Sequence, residues 1–69
     1  MDFELRGDSD YIELIKLLKA TQIAESGAHA KQIVEEGQVL VDGEAELRKR
    51  AKIRKGSTVS VFETTITIK

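Results

Sequence analysis

The sequence has no cysteine, no proline and no tryptophan, and its 69 residues include one tyrosine, one histidine and two phenylalanines. The absence of cysteine excludes disulfide staples, thiolate zinc sites and thiol nucleophiles together, which leaves packing as the source of stability. His29 stands alone on the polar side of a helix and is read as a solvated residue, not as a metal ligand or general base. Ser26 has no paired base and reads as a helix cap. Glu35 and Glu36 are adjacent on a helix and point in different directions, so they make no catalytic pair. Gly37, Gly43 and Gly56 each fall at an expected stop or turn, which excludes a glycine-rich phosphate loop. No apolar run approaches the roughly 18 residues of a bilayer-crossing helix. The opening Met1-Asp2-Phe3-Glu4 lacks the basic start and apolar stretch of a secretory signal. The expectation is a cytoplasmic protein that is no enzyme, with no catalytic residues, no metal and no cofactor.

What is present is a globular balance, with 41% hydrophobic and 33% charged residues. The length suits one domain over residues 1–69, too small for a deep cleft, so function must lie on its surface. A net charge of −1 conceals a division along the chain. Residues 1–47 hold four basic side chains (Arg6, Lys16, Lys19 and Lys31) against eleven acidic ones, whereas residues 48–69 hold seven against Glu63 alone. Such asymmetry points to a polyanion-facing segment on an acidic body.

The periodicities divide the chain into short elements. Phe3 to Arg6 alternates apolar and charged as a half-buried strand does, and Gly7-Asp8-Ser9 breaks it. Asp10 with Glu13 three residues on has the spacing of a capping box, and Tyr11, Leu14, Ile15 and Leu18 follow a helical stripe. Ser26 caps a second helix, whose short apolar face is Ala30, Ile33 and Val34 and whose stop is Gly37. The period then changes to two. Val39-Leu40-Val41, Asp42-Gly43 and Glu44 to Leu47 read as a hairpin with a type I′ turn. Beyond the break at Gly56-Ser57, Val59, Val61, Ile66 and Ile68 alternate around a turn near Glu63-Thr64. With no proline, repeat or low-complexity linker, the fold class expected is α+β: two short helices packed on a small, mostly antiparallel sheet.

Residues 48–55 carry six cations and no acid. In an extended conformation, alternation sends Arg48, Arg50, Lys52 and Arg54 to one face while Leu47, Ala51 and Ile53 point to the core. Cations so close repel one another, a cost that a polyanion removes, and arginine forks match phosphate oxygens. The plainer reading is a solvated edge strand guarded against aggregation. The anchored alternation and the acidic remainder favour nucleic acid. Phe3, Tyr11 and Phe62 all fall at positions that read as core, which sets base stacking below recognition of folded RNA by backbone and shape.

The ordered set Ser26-Gly27, Ala30-Lys31, Ile33, Gly37, Val39, Val41, Asp42-Gly43, Glu46, Arg48-Lys49, Lys52-Ile53 and Gly56 resembles the S4-like RNA-binding domain. It is most similar to small bacterial proteins that consist of that domain and little else. Tyr11 to Leu14 with Leu17-Leu18-Lys19 resembles the first helix of the same group. The resemblance implies an α-L motif gripping structured RNA, with Lys31, Arg48, Lys49 and Lys52 as contacts. The charge argument adds Arg50 and Arg54. Two positions depart from the pattern: Gly27 stands where many S4 domains have arginine, and Asp42 where the turn often has asparagine.

The expected function is non-catalytic binding of structured RNA, of the ribosomal or transfer class, by a monomer with no membrane partner, whether alone or within a ribosome or other ribonucleoprotein. An alternative is a protein-interaction module whose basic strand docks an acidic partner. A third is a detached regulatory domain of an RNA-modifying enzyme.

Overall fold

The computed structural model describes residues 1–69. In chain order its elements are β1 (Asp2–Phe3), β2 (Tyr11–Glu13), α1 (Leu14–Ala20), α2 (Gly27–Glu35), β3 (Val39–Val41), β4 (Glu44–Ala45), β5 (Lys52–Arg54), β6 (Thr58–Val61) and β7 (Thr64–Ile68). They make a five-stranded sheet in the order β1-β7-β6-β3-β4 and a separate two-stranded ribbon, β2-β5. Only the β1–β7 pairing is parallel.

The larger sheet follows from strict alternation. Val39 pairs with Val61, Val41 with Val59, and Val59 with Ile66, so one face is almost wholly β-branched. That face joins Leu14, Leu17 and Leu18 of α1 and Ile33 and Val34 of α2 in one core. Each buried side chain of this size stabilises the fold by about 1.5–3 kcal/mol. The opposite face carries Leu40, Ser60 and Thr65, which are paired across the strands. No helix is long and apolar enough to cross a membrane.

Caps and turns match the residues that need them. Ser26 Oγ accepts the His29 backbone N–H at 3.1 Å and closes the start of α2. His29 also answers back, its Nδ1 accepting the Glu25 N–H at 3.0 Å, so the ring is half-buried and structural rather than merely solvated. Gly37, at φ 73°, ends α2 in a Schellman pattern, Gly37 N–H donating to Val34 O and Gln38 N–H to Ile33 O. Asp42 and Gly43, at φ 52° and 87°, make the two-residue turn of the β3–β4 hairpin. The Asp42 carboxylate accepts the Thr58 N–H at 2.9 Å, which ties the turn to β6.

Several expectations are overturned. Helix α1 begins at Leu14, not after a cap at Asp10, because Tyr11-Ile12-Glu13 pairs as a strand with Lys52–Arg54. The strand expected over Phe3–Arg6 is Asp2–Phe3, held beside β7. Phe62 is no core residue: it sits at φ 55° in the β6–β7 turn with 62% of its surface exposed.

Candidate nucleic-acid interface

Helix α1 has no side-chain cap, yet its first amides do not go unpaired. Leu14 N–H donates to Ala51 O at 2.9 Å and Ile15 N–H to Lys49 O at 3.2 Å. The orphan donors of the helix are thus satisfied by carbonyls of the cationic segment, and its path is fixed by the same bonds. The segment turns tightly, Ala51 N–H donating to Arg48 O at 3.1 Å, before straightening into β5. Ile53 and Ala51 are both buried, as alternation predicts. Leu47, expected in the core, is 62% exposed, because the turn at residues 48–51 breaks the two-residue period before it reaches Leu47. Arg48 and Arg50 consequently do not extend the β5 alternation.

The six candidate contacts, Lys31, Arg48, Lys49, Arg50, Lys52 and Arg54, nevertheless adjoin one another. Lys52 and Arg54 share the outer face of β5, with Lys52 Nζ 5.0 Å and Arg54 Cζ 5.7 Å from the centre of the Tyr11 ring. Arg48, Arg50 and Lys52 line one shallow depression. Lys49 meets Lys31 of α2, and the contact, with the repulsion between the two charges, holds the Lys49 ammonium below its ordinary pKa of 10.5. Arg50 pushes in the same direction, whereas Glu35 opposes. The result is a tract from α2 across the turn to the ribbon.

Carboxylates hold two of the six. Glu46 takes Arg48 in a fork, Nε at 3.1 Å and Nη2 at 3.2 Å, and accepts the Arg48 backbone N–H at 3.0 Å. These bonds keep the Glu46 carboxyl below its ordinary 4.5 and raise the Arg48 guanidinium further. Glu13 takes Arg50 Nε at 3.2 Å and Lys16 Nζ at 3.7 Å. Lys31, Lys49, Lys52 and Arg54 form no ion pair. No cluster of three or more metal-ligating side chains exists.

Sequence reasoning missed Tyr11, which it assigned to the core and which is 39% exposed. The signal was available in the alternation Tyr11-Ile12-Glu13, masked by a helix-like capping pattern. Tyr11 also borders a larger open depression of about 820 Å³ beside β1 and α1.

This geometry belongs to a described set of proteins. The S4 domain family model matches residues 3–69. The protein YbcJ of Escherichia coli (strain K12) is 54% identical over 54 residues, covering 78% of this chain and 77% of that one. YbcJ of Shigella flexneri gives the same figures. The solution structure of E. coli YbcJ superposes with a TM-score of 0.74 at 46% identity, over 97% of this chain and 84% of that chain, and is described as revealing an αL motif involved in RNA binding. The expected fold class, two helices with a mostly antiparallel sheet in the S4-like α-L arrangement, is borne out.

Proposed function

The chain belongs to the S4 domain family, and from that premise we propose that it is a non-catalytic RNA-binding domain that grips structured RNA by its phosphates. The observation that carries the proposal is the continuity of Lys31, Lys49, Arg48, Arg50, Lys52 and Arg54 across two elements distant in sequence. Four of these cations form no ion pair with a carboxylate, so an outside anion relieves a repulsion that the protein itself offsets only in part, through Glu35 near Lys49 and the Tyr11 ring under Lys52 and Arg54. Arg48 and Arg50 exchange a surface carboxylate for a phosphate at little cost, because exposed ion pairs contribute little.

The ligand is a folded RNA of the ribosomal or transfer class, bound in the cytoplasm by one copy of the domain. Phosphate contacts fix position and carry no sequence information themselves. Titration of a transfer RNA at several salt concentrations tests the reading. With about three to five phosphates neutralised, log K falls against log salt with a slope of about −0.7 to −0.9 per contact. Affinity independent of salt would overturn it.

A further inference from the structure

The β2–β5 ribbon places Tyr11 directly opposite Arg54, with Lys52 two residues away on the same face. Ile12 turns inward against the core, which is why the ring of Tyr11 turns out. An aromatic ring with two cations over it is attractive to them electrostatically, but it also concentrates two like charges at one exposed spot. The same ring forms part of the wall of the larger depression, together with Phe3, Arg6, Ser9, Asp10 and Arg50. That depression is open, about 820 Å³, and of a size that takes a nucleotide. Its lining brings the rings of Phe3 and Tyr11 together with carboxylates that can accept from exocyclic amines and with the Arg6 guanidinium as a donor to base carbonyls, Arg50 being already paired with Glu13.

We propose that Tyr11 is a stacking site for an unpaired nucleobase, which enters the depression beside it while Lys52 and Arg54 hold the flanking phosphates. The inference rests on the RNA-binding reading and deepens it: the domain senses a nucleotide displaced from the helix as well as a run of phosphates. Stacking on an aromatic side chain contributes about 1–3 kcal/mol per base and tolerates any base. A duplex cannot offer that contact without unstacking, whereas a bulge offers it freely.

Tyr11 is the only tyrosine, and the chain has no tryptophan, so tyrosine emission reports on this ring alone. The probes are two synthetic RNAs with the same number of phosphates, one a perfect duplex and one carrying a purine bulge. The bulged RNA quenches the emission and binds about tenfold tighter than the duplex. Tyr11→Ala abolishes the preference by lowering the affinity for the bulged RNA more than that for the duplex, and Tyr11→Phe retains the preference. Equal affinity for the two RNAs with unchanged emission would overturn the stacking site and leave phosphate binding standing. A preference that survives Tyr11→Ala, or an equal loss on both RNAs, would also overturn it, the second because Tyr11 would then only position Lys52 and Arg54. Failure of both RNAs to bind would remove the inference and the RNA reading together.

Discussion

The two β structures of this small domain divide its work. The five-stranded sheet buries Val39, Val59, Val61, Ile66 and Ile68 and shows solvent a face that includes Leu40, Ser60 and Thr65. The β2–β5 ribbon buries Ile53, with Ile12 packed beside it, and shows solvent Tyr11, Lys52 and Arg54. A two-stranded ribbon is marginal by itself in water. Here it is held by the core beneath it and by the α1 amides that bond Ala51 and Lys49. The difference teaches that repelling charges are carried by the less self-sufficient element, where apolar anchors and helix-end hydrogen bonds fix them from below.

The largest effect that would test this division comes from removing the anchor. Ile53→Ala should cost about 2–5 kcal/mol, the range for emptying a buried isoleucine site, and Ile66→Ala should cost a similar amount. Urea denaturation measures both. The two variants should part in amide hydrogen exchange: Ile53→Ala selectively exposes the amides of β2 and β5, and Ile66→Ala does not. Equal protection of the ribbon in both variants would break the comparison.

A second comparison sets the two outer faces against each other. Replacing Arg48, Arg50 and Lys52 together with alanine should lower the salt slope of RNA binding by about 2 to 3, one phosphate contact each, and weaken affinity about a hundredfold at moderate salt. Folding should barely change, because the ion pairs lost lie at the surface. The matching triple change of Thr58, Ser60 and Thr65 should leave binding where it was. If the hydroxyl-bearing face mattered as much, the proposed interface would be in the wrong place.

Scaffold residues outside the cationic tract should move stability and little else. Ser26→Ala removes the α2 cap and should cost about 1 kcal/mol. RNA affinity measured well below the denaturation midpoint should be preserved, since the cap contacts only the His29 amide.

How far the architecture was readable follows from how local each cause is. Asp42-Gly43, the Ser26 cap and the Gly37 stop are legible because left-handed backbone and an unpaired helix amide select particular residues at one point in the chain. The ribbon is illegible for the opposite reason. Tyr11-Ile12-Glu13 carries a helix-start pattern, and only its partner Lys52–Arg54, far along the chain, makes it a strand. The same non-locality hid the Glu13–Arg50 pair. Glu46, two residues before Arg48, was open to view, but the bond depends on the turn at residues 48–51 that the assumed extended strand left out. The cations themselves were legible as a cluster, and their arrangement around Tyr11 was not.

The smallest effect probes the join between the helix and the turn, where Lys31 faces Lys49. Contact with Lys31 depresses the Lys49 pKa, so the charged form is disfavoured in the folded chain. Below that folded value the charged Lys49 is held against Lys31, and the repulsion costs stability. As pH rises through it toward the ordinary 10.5, the unfolded chain holds more protons than the folded one and stability recovers. A phosphate seated between the two ammonium groups reverses the repulsion and draws a proton back onto Lys49. RNA affinity should therefore begin to fall with rising pH before the ordinary lysine range is reached, and Lys31→Ala should shift Lys49 back upward in the free protein. NMR titration of the Lys49 side chain, with and without RNA, measures both. If Lys49 titrated at the same pH in either state, α2 would be no part of the grip, and recognition would rest on the turn and the ribbon alone.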